Sequence, residues 1–172
     1  LIASVSLNSY FKLWFVGPRP YWVSGNVQGL SAETSFGVPS GHAQNAMAVW
    51  GIIAARIGKR VAWMLAITLA FLIGFSRLYL GVHFVHDVLA GWALGAAVLW
   101  GVLRFWDPVA AWLKSKTVTS QISLAFVMSL VMIALGYASA ARLDGYIFPE
   151  EYRVNALRAS DELPAPASLE TI

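Results

Sequence analysis

The chain has 172 residues, 58% of them hydrophobic and only 12% charged, with eight Trp, no Cys and a formal charge of +3. That charged share is about half of what a soluble domain carries, and the apolar residues come in long unbroken runs, so the chain reads as an integral membrane protein. The small net charge bears on orientation in a bilayer and not on nucleic acid, while the lack of Cys excludes disulfides, thiolate metal sites and cysteine nucleophiles.

Leu1 stands inside an apolar run with no cleavage-site pattern, so it reads neither as a signal peptide nor as a natural start, and upstream sequence is expected. Residues 1–16 are apolar apart from Asn8, Ser9 and Lys12 and read as the end of a membrane helix with Lys12 near its exit. Residues 17–41 hold Gly17, Pro18, Pro20, Gly25, Gly29, Gly37 and Pro39 among polar residues, a loop with room for a short interfacial helix. Tyr21 and Trp22 suit a headgroup-level belt. A helix is expected from Ser40, its N-cap, to about Ile57, ended by Gly58-Lys59-Arg60.

A third span covers 61–78 and stops at Gly81. The fourth begins near His83 or His86, runs to Trp106, and carries Gly91 and Gly95 at the small-xxx-small spacing that lets membrane helices approach closely. A polar link, Asp107 to Thr119, precedes a fifth uncharged span over 120–140, and most of the acidic stretch from Ala141 to Ile172 reads as irregular. The expected fold is therefore all-α, a polytopic transmembrane bundle with about five spans.

Arg56, Lys59, Arg60, Arg104, Lys114 and Lys116 fall on one side of this bundle, which should face the cytoplasm. The 17–41 loop, the 79–85 turn and the acidic tail fall on the other. Lys12, Arg19 and Arg77 run against the charge bias of that outer face, a reason to look for an anion they serve.

The three polar clusters on that face suit a phosphate group. Displacement at phosphorus needs neutralised oxygens, an in-line nucleophile and a proton for the leaving oxygen. Lys12, Arg19 and Arg77 offer charge, and the arginine forks match phosphate geometry. Ser40 and the free N–H groups of Gly41 and His42 form an anion seat at a helix N-terminus. His83 and Asp87, four apart, would share a helical face, so that the carboxylate holds one ring nitrogen as N–H and frees the other to attack. His42 is the candidate proton donor, turning base when water hydrolyses the phosphohistidine. This chemistry calls for no metal and no cofactor, because fixed cations supply the electrostatics.

Lys12, six residues, Arg19-Pro20; then Pro39-Ser40-Gly41-His42; then Ser76-Arg77, five residues, His83, three residues, Asp87: this series resembles the three-part signature of the type 2 phosphatidic acid phosphatase superfamily, in order and spacing. The resemblance implies His83 as nucleophile, Asp87 as its orienting partner, His42 as acid/base, and Lys12, Arg19, Ser40, Gly41 and Arg77 as phosphate-binding residues. It implies a catalytic membrane core over residues 1–106, leaving 107–140 as a cytoplasmic link with an additional helix and 141–172 as an outer tail. Members usually have two more helices before the first motif, and these are absent from this chain. His86 fills a variable position and takes no role from the motif; Glu33 and Asn45 stay unassigned.

Each piece alone has a plainer meaning: a turn and helix cap at Pro39–His42, a snorkelling Lys12, an interface anchor in Arg77, a helix-pinning polar knot at His83–Asp87. Together they must explain the same ordered spacing independently, which coincidence does poorly. An intramembrane serine protease using Ser40 would leave the three cations idle, and a histidine-rich metal oxidase needs more ligands than this chain supplies. Vanadium haloperoxidases share the superfamily but are soluble. The expected function is a metal-independent phosphatase acting on a membrane-embedded lipid phosphate or pyrophosphate at the outer face, in a bacterial inner membrane with the site toward the periplasm. The alternatives are a lipid phosphotransferase and a non-catalytic lipid-phosphate binder or transporter.

Overall fold

The computed structural model describes residues 2–31, 33–160 and 164. They form helices α1 (Ile2–Phe15), α2 (Pro20–Val23), α3 (Gly41–Ile57), α4 (Arg60–Tyr79), α5 (Val85–Lys114), α6 (Val118–Ala141) and α7 (Glu150–Ser160), with no strand among the described residues. The fold is an all-α membrane bundle. Among the described residues three helices, α4, α5 and α6, are long and apolar enough to cross a bilayer. The expected count of about five also includes α1 and α3, with 14 and 17 residues among those described.

Helix α3 is the hub, packed against α1, α4 and α5. Its inward side is built of small residues, with Ala43, Ala46, Ala48, Gly51 and Ala54 buried. In lipid there is no hydrophobic drive between helices, so close backbone approach and dispersion must hold the pair together. Gly91 and Gly95 of α5 permit it. A Cβ at Gly91 would lie 2.5 Å from the Ser40 carbonyl oxygen, and one at Gly95 would strike the Gln44 carbonyl and lie 2.8 Å from Met47 Cβ.

Two helix boundaries differ from the expected ones. The polar link expected over 107–119 is mostly helix: α5 continues through Pro108 to Lys114, leaving only residues 115–117 between helices. Pro108 removes a single backbone donor, and the Ala110, Ala111 and Leu113 that follow are good helix formers. Thr117 then caps α6, accepting from the Ser120 N–H at 3.2 Å, while Gln121 Nε2 donates to the Leu113 and Lys116 carbonyls at 3.0 and 3.2 Å.

The tail expected to be irregular contains α7, which packs on α2. Glu150 and Glu151 in its first turn favour the positive end of the helix dipole, and Asn155 Nδ2 donates to the Trp22 carbonyl at 3.0 Å. Residues 161–163 and 165–172 of that tail lie outside the described residues. Tyr21 and Trp22, expected at a headgroup belt, are instead 1% and 0% exposed. They belong to a small core with Leu13, Phe36, Val82 and Ala156, and the Trp22 ring meets Phe148 edge-on at 5.2 Å. The tail thus seals the loop that carries the first motif.

Close packing of α3 on α5 makes a direct prediction. Gly95→Ala should destabilise the bundle by about 1–3 kcal/mol through overpacking. Gly101→Ala, where an added Cβ meets nothing within 4 Å, should be neutral or stabilising. Thermal unfolding of both variants in detergent micelles tests the contrast; equal midpoints would mean that α3 and α5 separate without cost.

Candidate active site

Five segments bring the polar residues together at one end of the bundle. Lys12 comes from the last turn of α1. Arg19 precedes α2, held extended at φ −97° and ψ 156° ahead of Pro20. Ser40, Gly41 and His42 open α3, and Arg77 lies in the last turn of α4. Gly81, at φ +69°, turns the chain so that His83 and Asp87 follow at the start of α5.

His83 and Asp87 do meet, but not along one helical face as the four-residue spacing suggests. Helix α5 starts at Val85, and Asp87, in its first turn, reaches back across the helix start. Its Oδ2 accepts from the Phe84 N–H at 2.9 Å and lies 3.2 Å from His83 Nδ1. The other ring nitrogen, Nε2, is 3.4 Å from Arg19 Nη1. A guanidinium only donates, so Nε2 must present its lone pair and Nδ1 must carry the proton toward Asp87. Burial, partly offset by the Asp87 hydrogen bond, lowers the His83 pKa from 6.5 to about 4. The imidazole is neutral at neutral pH, with its Nε2 lone pair facing Arg19 Nη1.

Arg19 is fully buried and heavily engaged. Its Nε donates to the Ser35 carbonyl at 2.7 Å, Nη1 to the Val82 carbonyl at 3.0 Å, and Nη2 to Glu33 Oε2 at 3.2 Å. It therefore ties the first-motif loop to the strip holding His83. Glu33 is the residue that sequence reasoning left aside. Burial alone would raise its carboxyl pKa, but Arg19, Lys12 and the two histidines outweigh that and hold it below the usual range. Its second oxygen lies 3.9 Å from His42 Nδ1. No spacing marks Glu33 out, since it sits in an irregular loop between two motifs.

A cavity of about 480 Å³ opens over this cluster. Lys12, Glu33, Ser35, Gly41, His42 and His83 line its mouth, and Lys12 Nζ donates to Ser35 Oγ at 2.7 Å. Farther along the helices its wall becomes apolar, through Val5, Ala46, Val49 and Ile73. Arg19, Ser40, Arg77 and Asp87 do not line it. Ser40 is fully buried, and its Oγ caps α3 by accepting from the Ala43 N–H at 3.4 Å. Arg77 is half-buried; among the described residues its side chain makes one hydrogen bond, to Ser76 Oγ at 3.4 Å. His86 is exposed, stacked on Phe84, with Nε2 3.0 Å from Asp87 Oδ1 but not aligned for a hydrogen bond.

The family model of the PAP2 superfamily matches residues 1–111. The chain belongs to the PAP2 superfamily. Phosphatidylglycerophosphatase B of Bacillus subtilis is 38% identical over 108 residues, covering 58% of this chain and 51% of that protein. The crystal structure of a transmembrane PAP2-type phosphatidylglycerolphosphate phosphatase from Bacillus subtilis matches with a TM-score of 0.56 and 35% identity, over 62% of this chain and 55% of that one. Glucose-6-phosphatase 3 of Mus musculus is 33% identical over 119 residues, covering 55% of this chain and 34% of that protein. The chain thus spans about half the length of the Bacillus PAP2 relatives. The PAP2 match covers every motif residue of the cluster and stops short of α6 and α7.

The His83 environment gives a pH signature. In the unfolded chain His83 titrates near its ordinary 6.5, and in the fold near 4, so between those values the unfolded state takes up a proton that the folded state refuses. Stability should be level above that window and fall as pH drops through it. Unfolding midpoints in micelles, taken from about pH 8 to about pH 4, should fall less steeply in His83→Gln than in the parent. Parallel curves would place the titration elsewhere.

Proposed function

We propose that this protein is a lipid phosphatase that works without a metal ion, through a phosphohistidine on His83, at the outer face of a bacterial inner membrane. The observation that carries the reading is the orientation of His83: Nδ1–H toward Asp87, and Nε2 at the mouth of a cavity that is charged and polar at one end and apolar at the other. A phosphate headgroup matches the mouth and a lipid chain matches the wall. A soluble sugar phosphate would leave the apolar wall without a partner.

In the proposed reaction Nε2 of His83 attacks phosphorus, the bond from phosphorus to the lipid oxygen breaks, and protonated His42 gives its proton to that oxygen. Water then attacks phosphorus, His42 takes the water's proton, the P–N bond breaks, and phosphate leaves with His83 neutral again. Lys12 and Arg19 Nη1 balance the charge on the equatorial oxygens. The N–H groups of Gly41 and His42, in the first turn of α3, have no intrahelical partner and point at the same place. Asp87 steadies the imidazolium character that develops on His83, as a buried carboxylate does in other histidine-dependent sites. Arg77 adds its charge from the end of α4.

The test is phosphate release from lipid phosphates in micelles with excess EDTA, using the complete protein and its His83→Ala variant. Release should resist the chelator and vanish in the variant; loss of release on chelation would overturn the metal-independent reading. Transfer of phosphate to an added lipid alcohol in place of release would mark a phosphotransferase. Asp87→Asn should lower kcat by about 10²- to 10⁴-fold through loss of tautomer control, and near-parental turnover would remove Asp87 from the mechanism. Vanadate should compete with substrate, and Arg77→Ala should weaken that inhibition about two- to fivefold, as expected for losing a nearby, partly solvated charge. Unchanged vanadate sensitivity would confine the anion seat to Lys12, Arg19 and the start of α3.

A further inference from the structure

Beneath the charged cluster a chain of hydrogen bonds joins α1 to α3, and the Pro39 and Ser4 carbonyls set the direction of the Asn8–Gln44 link within it. Asn8 Nδ2 lies 3.3 Å from the Pro39 carbonyl oxygen, which can only accept, so the amide nitrogen of Asn8 faces α3. The same nitrogen donates to Gln44 Oε1 at 2.7 Å. Gln44 must then turn its nitrogen the other way, and Nε2 donates to the Ser4 carbonyl at 2.7 Å and to Ser4 Oγ at 2.8 Å. Ser4 Oγ accepts from Gln44, and among the described residues the acceptor for its own proton is Asn45 Oδ1 at 2.9 Å. Asn45 is thereby held with its oxygen occupied. Among the described residues its Nδ2 has no hydrogen-bond partner, and Asn45 lines the cavity.

Asn45 lies three residues beyond His42 and four beyond Gly41, so its donor sits about 5–6 Å along the helix axis from the anion seat. Around and below that level the other lining residues, Val5, Ser9, Ala46, Val49, Trp50 and Ile73, carry no charge. Of the lining side chains only Lys12 and His42 can carry positive charge, and Glu33 opposes them, so an ionised second phosphate at that level would be poorly compensated. A neutral acceptor held a few bonds below phosphorus fits, and an ester carbonyl is such an acceptor.

We propose that Asn45 is a specificity-determining residue whose Nδ2 donates to the ester carbonyl of a glycerophospholipid phosphate, favouring acylated glycerol phosphates over ether-linked lipids and polyprenyl pyrophosphates. This rests on the reading of the cavity as a lipid-phosphate site. The Ser4–Gln44–Asn8 relay is the positioning device: it stops the Asn45 amide from flipping and sets the donor toward the substrate.

The experiment measures kcat/KM of the complete protein in micelles for a diacyl phosphatidate, its dialkyl ether counterpart of equal chain length, and farnesyl pyrophosphate. The parent should prefer the diacyl lipid over the dialkyl one by about three- to tenfold, the effect of one hydrogen bond. Asn45→Ala should bring that ratio to about one, and Ser4→Ala, which frees the amide to flip, should reduce it part of the way. An activity ratio is insensitive to the fraction of protein folded, so a poorly folding variant does not mimic the result. An ester-to-ether ratio near one in the parent, or an unchanged ratio in Asn45→Ala, overturns the proposal while phosphate release upholds the phosphatase reading. A parent preference for the pyrophosphate that Asn45→Ala abolishes overturns it in favour of a second phosphate at that level. Release from none of the three lipids overturns both readings.

Discussion

Asp87 is the joint on which the site depends. Its backbone carbonyl accepts from the Ser40 N–H at 2.9 Å, tying the start of α3 to the start of α5. One carboxylate oxygen holds both the first free N–H of α5 and the His83 ring. A single fully buried residue therefore caps a helix, orients a histidine and joins the two segments that carry His42 and His83. Those contacts need α5 close to α3, which the hydrogens of Gly91 and Gly95 allow and any larger side chain would prevent.

Around that joint, charge is placed where the surroundings make it costly, and each charge answers another. Arg19 is buried with Glu33 and a ring of carbonyls, and its one loosely held edge faces His83 Nε2. Breaking such a pair would strand a buried charge, so the 33–36 loop and the 82–83 turn are bound to one arrangement. The outer core of Tyr21, Trp22, Phe36 and Ala156 then covers the loop from the far side. Helix α7, from beyond the stretch matched by the PAP2 family, thus contributes to the rigidity of the first motif without touching the cavity.

The cavity grades from ionic to apolar along α1 and α3, and polar amides mark the boundary. Inside a bilayer an amide pair linking two helices is commonly a structural clasp. Here the clasp ends in a donor on the cavity wall, which turns a packing feature into a means of reading the substrate.

Much of the fold was legible in the chain itself. The apolar run over 61–78, Ser40 as an N-cap and Gly81 as a stop are local signals, and local backbone chemistry decides helix ends such as these. The motif spacing named Lys12, Arg19, His42, His83 and Asp87, because chemistry at phosphorus needs those residue types together. Spacing did not show that His83 precedes its helix, that Arg77 and Ser40 stand back from the cavity, or that Tyr21 and Trp22 are core residues. Those outcomes turn on partners far along the chain: Phe148 and Asn155 for Trp22, Arg19 for the Asp87–His83 pair. Glu33 and Asn45 were silent for the same reason. A carboxylate in a loop or an amide on a helix acquires meaning from what faces it, and periodicity reports only the face on which a residue lies. The sequence by itself determined a membrane bundle and the inventory of a phosphate site; tertiary packing alone decided the direction of each donor and lone pair within it.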